Sequence, residues 1–267
     1  MIGYKRILSL ALAAVGFLLC TASAPHYLRD LDAFRVRSVE VTGTRYLKPH
    51  EALAASRIAT TSSVFDDPRV WRDSLLTHPL IEDAHVSRRP PGTVRIDVRE
   101  REPVALVRTP TLKPVDMSGR VLPMDPAFGG IDLPVLAGAV KVSAARVQGA
   151  RTLRTLEGLA ALRALQPTIW PWISEVQAGH ADMRLLLRWP EGAQLLLALP
   201  VDSARLEDVR LVLSDLAAAD GSSDGSLAGA AASASDLTRL VRLDARFNDQ
   251  ILVALSDGKR ARTREGS

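Results

Sequence analysis

The chain has 267 residues, 47% of them hydrophobic, which suits one large or two small domains with real cores. A net charge of +4 and a pI near 9.6 point to an anionic neighbour, either a membrane or a nucleic acid. The single cysteine, Cys20, excludes an internal disulfide and a multi-cysteine metal site.

Ile7 to Ala24 is an unbroken uncharged run, ILSLALAAVGFLLCTASA. As a helix it spans roughly 27 Å, close to the hydrocarbon thickness of a bilayer. Lys5 and Arg6 precede it, and Arg29 and Asp30 follow. A signal peptide is the rival reading, because Ala22-Ser23-Ala24 fits a small-x-small cleavage site. Pro25 follows directly, and a prolyl bond lacks the N–H that a peptidase binding extended substrate would use. Bulky Leu19 before Cys20 argues against lipoprotein processing. The expectation is a cytoplasmic tail (1–6), one uncleaved transmembrane helix (7–24) and the bulk of the chain outside, since long domains translocate largely regardless of flanking charge.

Phe34 to Val41 alternates for most of its length and stops at Thr42-Gly43, which predicts a strand. Pro49 to Ala55 is a short helix candidate with proline early, where its missing N–H costs nothing. Asp67-Pro68 opens a second helix through Val70, Trp71, Leu75 and Leu76 to His78, where Pro79 stops it. Ala84 and Val86 then lead up to Pro90-Pro91-Gly92, and Val94, Ile96 and Val98 follow, the period-two pattern of a half-buried hairpin. Arg95, Asp97, Arg99 and Arg101 form its wet face, as in a sheet covered by helices on one side.

The order strand, helix, helix, strand, strand, carried by these residues, resembles a POTRA domain of the FtsQ/DivIB family of bacterial cell-division proteins. The matching positions are Val39-Glu40-Val41-Thr42-Gly43, His78 to Val86 including Pro79, then Arg88, Pro91, Thr93 to Val98 and Glu100 to Ala105. Pro90 stands where the family usually has an aromatic residue. The domain is expected over 34–107, with a boundary near Arg108.

Val104 to Val107 and Leu112 to Leu122 read as short strands around a turn at Asp116-Met117-Ser118-Gly119. That turn and Leu133 to Gly138 match segments of the same family, and Phe128-Gly129-Gly130 reads as loop. Ala150 to Leu165 is a helix whose leucines, at 153, 156, 159, 162 and 165, make a broad, drifting stripe. Strands are expected at Ile173 to Ala178, Met183 to Trp189 and Gln194 to Leu199, the last two joined by Pro190-Glu191-Gly192. The run Leu195 to Leu199 is apolar on both faces and should be central. Asp202-Ser203 caps a helix with Leu206, Val209, Leu213 and Leu216 facing in. Ala217 to Asp236 is low in complexity and reads as a flexible loop. Strands follow at Leu240 to Phe247 and Ile251 to Leu255, and 257–267 reads as a disordered basic tail. The fold class is therefore α+β: a transmembrane helix, a β-α-α-β-β POTRA domain, and a second α+β domain (108–256) with a mostly antiparallel sheet.

No arrangement of residues predicts catalysis. Gly221-Ser222-Ser223-Asp224-Gly225 fits the pattern of a nucleophile elbow, but it lacks the preceding strand and following helix that aim the serine. The five histidines, His26, His50, His78, His85 and His180, make no i, i+4 pair and have no cysteine nearby. Asp66-Asp67 and Glu82-Asp83 are sequence neighbours whose side chains diverge, so no shared-proton dyad is expected. The arginines at 88, 89, 95, 99 and 101 alternate with acids and have no interleaved aromatic to stack on bases. No nucleic-acid partner, metal or cofactor is expected.

What remains as a site is an exposed strand edge. The family resemblance implies that the last strand binds the FtsB–FtsL complex, at Phe247, Asn248, Asp249, Gln250, Ile251 and Leu252. Leu255 stands where the family has a terminal aromatic. The POTRA hairpin edge, Arg88 to Arg99, is a second surface, for other division proteins. The expected role is a non-catalytic divisome scaffold at the septum, in the inner membrane. The alternative is a POTRA-bearing envelope chaperone or outer-membrane assembly module.

Overall fold

The computed structural model describes residues 31–125, 132–188, 192–218, 240–247, 250–256 and 260–261, with positions 12, 14 and 15. The expected tail 1–6, nearly all of the span 7–24, Phe128-Gly129-Gly130, Pro190-Glu191 and most of the 217–236 loop lie outside these residues. Among the described residues no helix is long and apolar enough to cross a membrane.

Two compact units divide between Arg101 and Glu102. In the first, β1 (Ser38–Thr42) leads through α1 (Pro49–Ser56) and α2 (Pro68–Leu76) to β2 (Ile81–Arg89) and β3 (Thr93–Glu100). The sheet order is β1-β3-β2, with β1 parallel and β2 antiparallel to β3. The alternation expected of the hairpin is realised: Val94, Ile96 and Val98 are buried, while Arg99 is exposed. Asp67 caps α2 by accepting the Arg69 N–H at 2.9 Å, with Pro68 in the first turn. Trp71 and Leu75 then turn inward.

Two features hold the segment after β1. Gly43 has φ +83°, and a Cβ there would lie 2.1 Å from the Val98 carbonyl oxygen. The buried Glu100 carboxylate accepts the N–H groups of Arg45, Tyr46 and Leu47 at 2.7, 2.7 and 3.0 Å. Three donors compensate for removing that charge from water, so the end of β3 clamps the connection into α1.

In the second unit the strands are β4 (Pro103–Thr109), β5 (Thr111–Asp116), β6 (Val135–Ala137), β7 (Val142–Ser143), β8 (Arg146–Val147), β9 (Ile173–Ala178), β10 (Asp182–Leu187), β11 (Gln194–Ala198), β12 (Leu240–Ala245), β13 (Leu252–Leu255) and β14 (Arg260–Ala261). The helices are α3 (Ala150–Leu165), before β9, and α4 (Ser203–Ala218), between β11 and β12. All strands but β7 and β8 form one sheet, ordered β14-β13-β12-β11-β10-β9-β6-β4-β5. It is mostly antiparallel, as expected, with parallel pairing at β11–β12, β4–β6 and β6–β9.

The drifting leucine stripe on α3 behaves as its spacing dictates. Leu156, Leu159 and Leu162 are fully buried, whereas Leu165 is exposed, because a three-residue step turns the stripe by about 60° each time. These leucines pack with Val176, Leu185, Leu195 and Leu197 of the sheet and Leu206, Val209 and Leu213 of α4. Leu195, Leu196 and Leu197 are all buried, so β11 is the central strand its composition predicted.

Two expectations are corrected. The boundary placed near Arg108 falls after Arg101, because Pro103–Thr109 pairs with β5 and β6 and belongs to the second sheet. Most of the basic tail expected to be disordered lies outside the described residues; within it Arg260 and Ala261 form β14 and pair with Ala254 and Val253. The physical reason is that β13 leaves an edge of backbone groups that the chain's own continuation can satisfy.

Gly43→Ala should destabilise the first unit by about 2–4 kcal/mol, through the clash with Val98 and the positive φ. A denaturant midpoint unchanged from the parent would refute this reading of the glycine. At the β7–β8 turn Ala144 and Ala145 take φ +48° and +57°, conformations that suit Asn-Gly. Ala144→Asn with Ala145→Gly should raise the second unit's stability by about 1 kcal/mol in the same measurement.

Candidate partner-binding edge

A nine-stranded open sheet has two margins, and they are finished differently. At the β5 margin, Pro114 has no N–H to offer, and its carbonyl accepts the Leu122 N–H at 2.8 Å. Val115 pairs with Val121, and Lys113 places a charge on the strand. The Pro114–Asp116 part of that margin is covered by its own chain, and the proline and lysine discourage further pairing. At the other margin, β13 lies antiparallel to β12 in the register Leu243↔Val253 and Asp244↔Leu252. Beyond it only the two residues of β14 are paired among the described residues.

An ion network fixes the end of β12. Arg246 donates from Nε and Nη2 to the two carboxylate oxygens of Asp244 at 2.8 Å each, and from Nη1 to Asp182 Oδ2 at 2.9 Å. Asp182 opens β10, so the guanidinium reaches across β11 and ties three adjacent strands together. Burial pushes the Asp244 carboxyl up, but the side-chain and backbone hydrogen bonds from Arg246 outweigh it and hold the group below the usual carboxylate range. The bonds from Asp244 and Asp182 in turn hold Arg246 above its ordinary range. Beside this network is a cavity of about 80 Å³, where the parallel strands β11 and β12 end and α4 begins. Its lining includes Ala198, Pro200, Arg205 and Arg246.

Of the residues expected to bind a partner, Phe247 and Leu252 are 44% and 39% exposed, next to the network and at the start of β13. Gln250 is half-buried. Ile251 is only 7% exposed and packs in the core, so it supports the edge from below and does not face a partner. Asn248 and Asp249 lie outside the described residues. The POTRA motif positions all fall in the first unit. Gly43 fits against β3, Pro79 follows α2, Pro91 is exposed in the hairpin turn, and Arg88 Nη2 donates to the Asp66 carbonyl at 2.8 Å. Sequence reasoning missed the part played by Asp182, which is 64 residues from Arg246 and has no local pattern to mark it.

Among the described residues no grouping of three or more His, Cys, Asp or Glu could hold a metal. Ser223 lies outside the described residues.

Residues 34–101 match the family model "POTRA domain, FtsQ-type". Three curated relatives bear the name cell division protein FtsQ. That of Rhodothermus marinus is 31% identical over 193 residues, covering 68% of this chain and 63% of the relative. Those of an Anaeromyxobacter species and Zymomonas mobilis are 32% and 36% identical, over 52% and 51% of this chain and 47% and 46% of the relatives. The chain therefore spans between about half and two thirds of the length of these relatives.

Because the folded Asp244 carboxyl sits below its ordinary value of about 3.9, its stabilisation is fully present above that value and is lost as pH falls through the lowered one. Denaturant unfolding of the second unit should therefore hold steady from about pH 7 to pH 5 and weaken below about pH 4. Asp244→Asn should be less stable at neutral pH and flatter at acid pH. An acid limb identical to the parent's would show that the network carries no such linkage.

Proposed function

As the chain belongs to the FtsQ/DivIB family, we propose that it is a non-catalytic, single-pass scaffold of the bacterial division machinery. In this reading residues 7–24 anchor it in the inner membrane, with the N-terminus cytoplasmic and both units in the periplasm at the septum. The partner is an FtsB/FtsL-type complex whose strand adds to the β13 margin. Main-chain hydrogen bonds supply affinity, and contacts with alternate side chains supply specificity.

The observation that carries this reading is the asymmetry of the large sheet. One margin is partly covered through Pro114 and the Val115–Val121 pairing, while the other presents β13 with exposed Phe247 and Leu252 beside it. The Arg246 network gives this margin a rigid base, and the adjoining cavity offers room for a small polar side chain of the partner. The first unit serves in the same scheme as a surface for other division proteins, through its hairpin edge. The relatives are named as division proteins, and no observation favours the outer-membrane assembly alternative.

Depletion of the protein should give filaments without septa, rescued by the full chain carrying a mid-cell fluorescent fusion. Phe247→Glu with Leu252→Lys should abolish co-purification of the FtsB/FtsL-type complex and septal recruitment, while the denaturant midpoint of the second unit moves by less than about 1 kcal/mol. Intact recruitment by this double variant would refute the edge assignment, and normal division on depletion would refute the division role itself.

A further inference from the structure

The β13 margin is occupied by the chain itself. Ala261 pairs with Val253 and Arg260 with Ala254, antiparallel, so the continuation of the chain lies where a partner strand would have to lie. We propose that β14 is a displaceable cover, a segment of this chain that holds the docking edge until a partner strand replaces it. This rests on the reading of the β13 margin as the partner site, and it names how that site is regulated.

Three observations converge on it. First, the two margins differ in what covers them. At the β5 margin Pro114 offers no N–H, and residues 120–122 bond back to Pro114 and Asp116 through the tight turn at Asp116–Gly119, whereas the β14 pairing involves two residues. A two-residue strand on an exposed edge is marginal by itself. Second, the sequence 259–264, Lys-Arg-Ala-Arg-Thr-Arg, contains no large apolar side chain. A stretch of that composition has little apolar surface to bury, and its charges discourage pairing with a second sheet. Third, Phe247 and Leu252 remain substantially exposed while β14 is in place. An incoming strand can cover these first and then extend along Val253 and Ala254 as β14 leaves. The exchange trades one set of main-chain hydrogen bonds for another, and the gain lies in the apolar surface that only the partner covers.

A tethered strand competes at an effective concentration on the order of millimolar, so the cover lowers apparent partner affinity without blocking it. It also keeps an exposed edge from recruiting unrelated chains before the partner arrives.

The test uses the full chain in detergent micelles beside a chain ending at Ser256. Removing β14 should speed hydrogen exchange of whichever of the Val253 and Ala254 amides faces it by about tenfold or more, and should tighten binding of the FtsB/FtsL-type complex from the same organism by about tenfold. A second variant locks the cover. Ala254→Cys with Arg260→Cys, in a Cys20→Ser background, joins directly paired positions through a disulfide. The oxidised form should lose partner binding, and dithiothreitol should restore it. Unchanged exchange on truncation would overturn the cover. Loss of binding on truncation would overturn it too, since β14 would then be the docking strand, and so would full binding by the locked form. Faster exchange with no partner binding by either chain would support the cover and count against the division-partner reading.

Discussion

Every strand at the margin of a sheet carries backbone N–H and C=O groups that must be satisfied by water, by the same chain or by another molecule. Much of this protein's second unit can be understood as an answer to that constraint. At β5 the answer covers part of the strand, with a residue that has no N–H at Pro114 and a neighbouring segment bonded between Pro114 and Asp116. At β13 the answer is a two-residue strand drawn from a basic stretch of chain. The two margins are therefore covered in different ways, one through a tight turn and the other by a short strand. A function built on strand addition needs that asymmetry, because a sheet with two open margins would polymerise and a sheet with none would bind nothing.

Charged groups fix local geometry in each unit. Glu100 turns three backbone donors of the loop after β1 toward itself, fixing the route into α1. Arg246 does comparable work in the second unit, joining the ends of β12 and β10 across β11. Such groups cost free energy to bury and are tolerated because every polar atom in the contact finds a partner of opposite sign or a donor. Their product is position. Arg246 holds the end of β12 in place beside the exposed Phe247. Among the described residues no group of three or more His, Cys, Asp or Glu is brought together to hold a metal.

Local patterns were legible where one physical rule governs one segment. The hairpin of β2 and β3 was readable because alternate burial on a helix-covered sheet forces alternate hydrophobicity, and Val94, Ile96 and Val98 obey it. The start of α2 was readable from Asp67-Pro68, since capping is a contact within a few residues. The α3 leucines were readable with their own limitation, as the three-residue spacing that buries Leu156 to Leu162 also rolls Leu165 into solvent. The reading failed where two uses of a segment look alike in sequence. Val104 to Val107 alternates no differently whether it extends the first sheet or opens the second. Ile251 is apolar and next to an edge strand, and only its packing shows that it belongs to the core.

The sequence by itself determined the element order of the first unit, the helix starts, the interior position of β11 and the resemblance to the FtsQ/DivIB family, because each follows from side-chain periodicity or from contacts a few residues apart. Only the tertiary structure decided that the first unit stops at Arg101, that Asp182 meets Arg246, and that Arg260 and Ala261 occupy the edge of β13. These are pairings between distant segments, and the backbone groups that make most of them are the same in every residue. Hydrophobic pattern tells a strand which face to bury, and it is silent on which neighbour the strand's two edges will find.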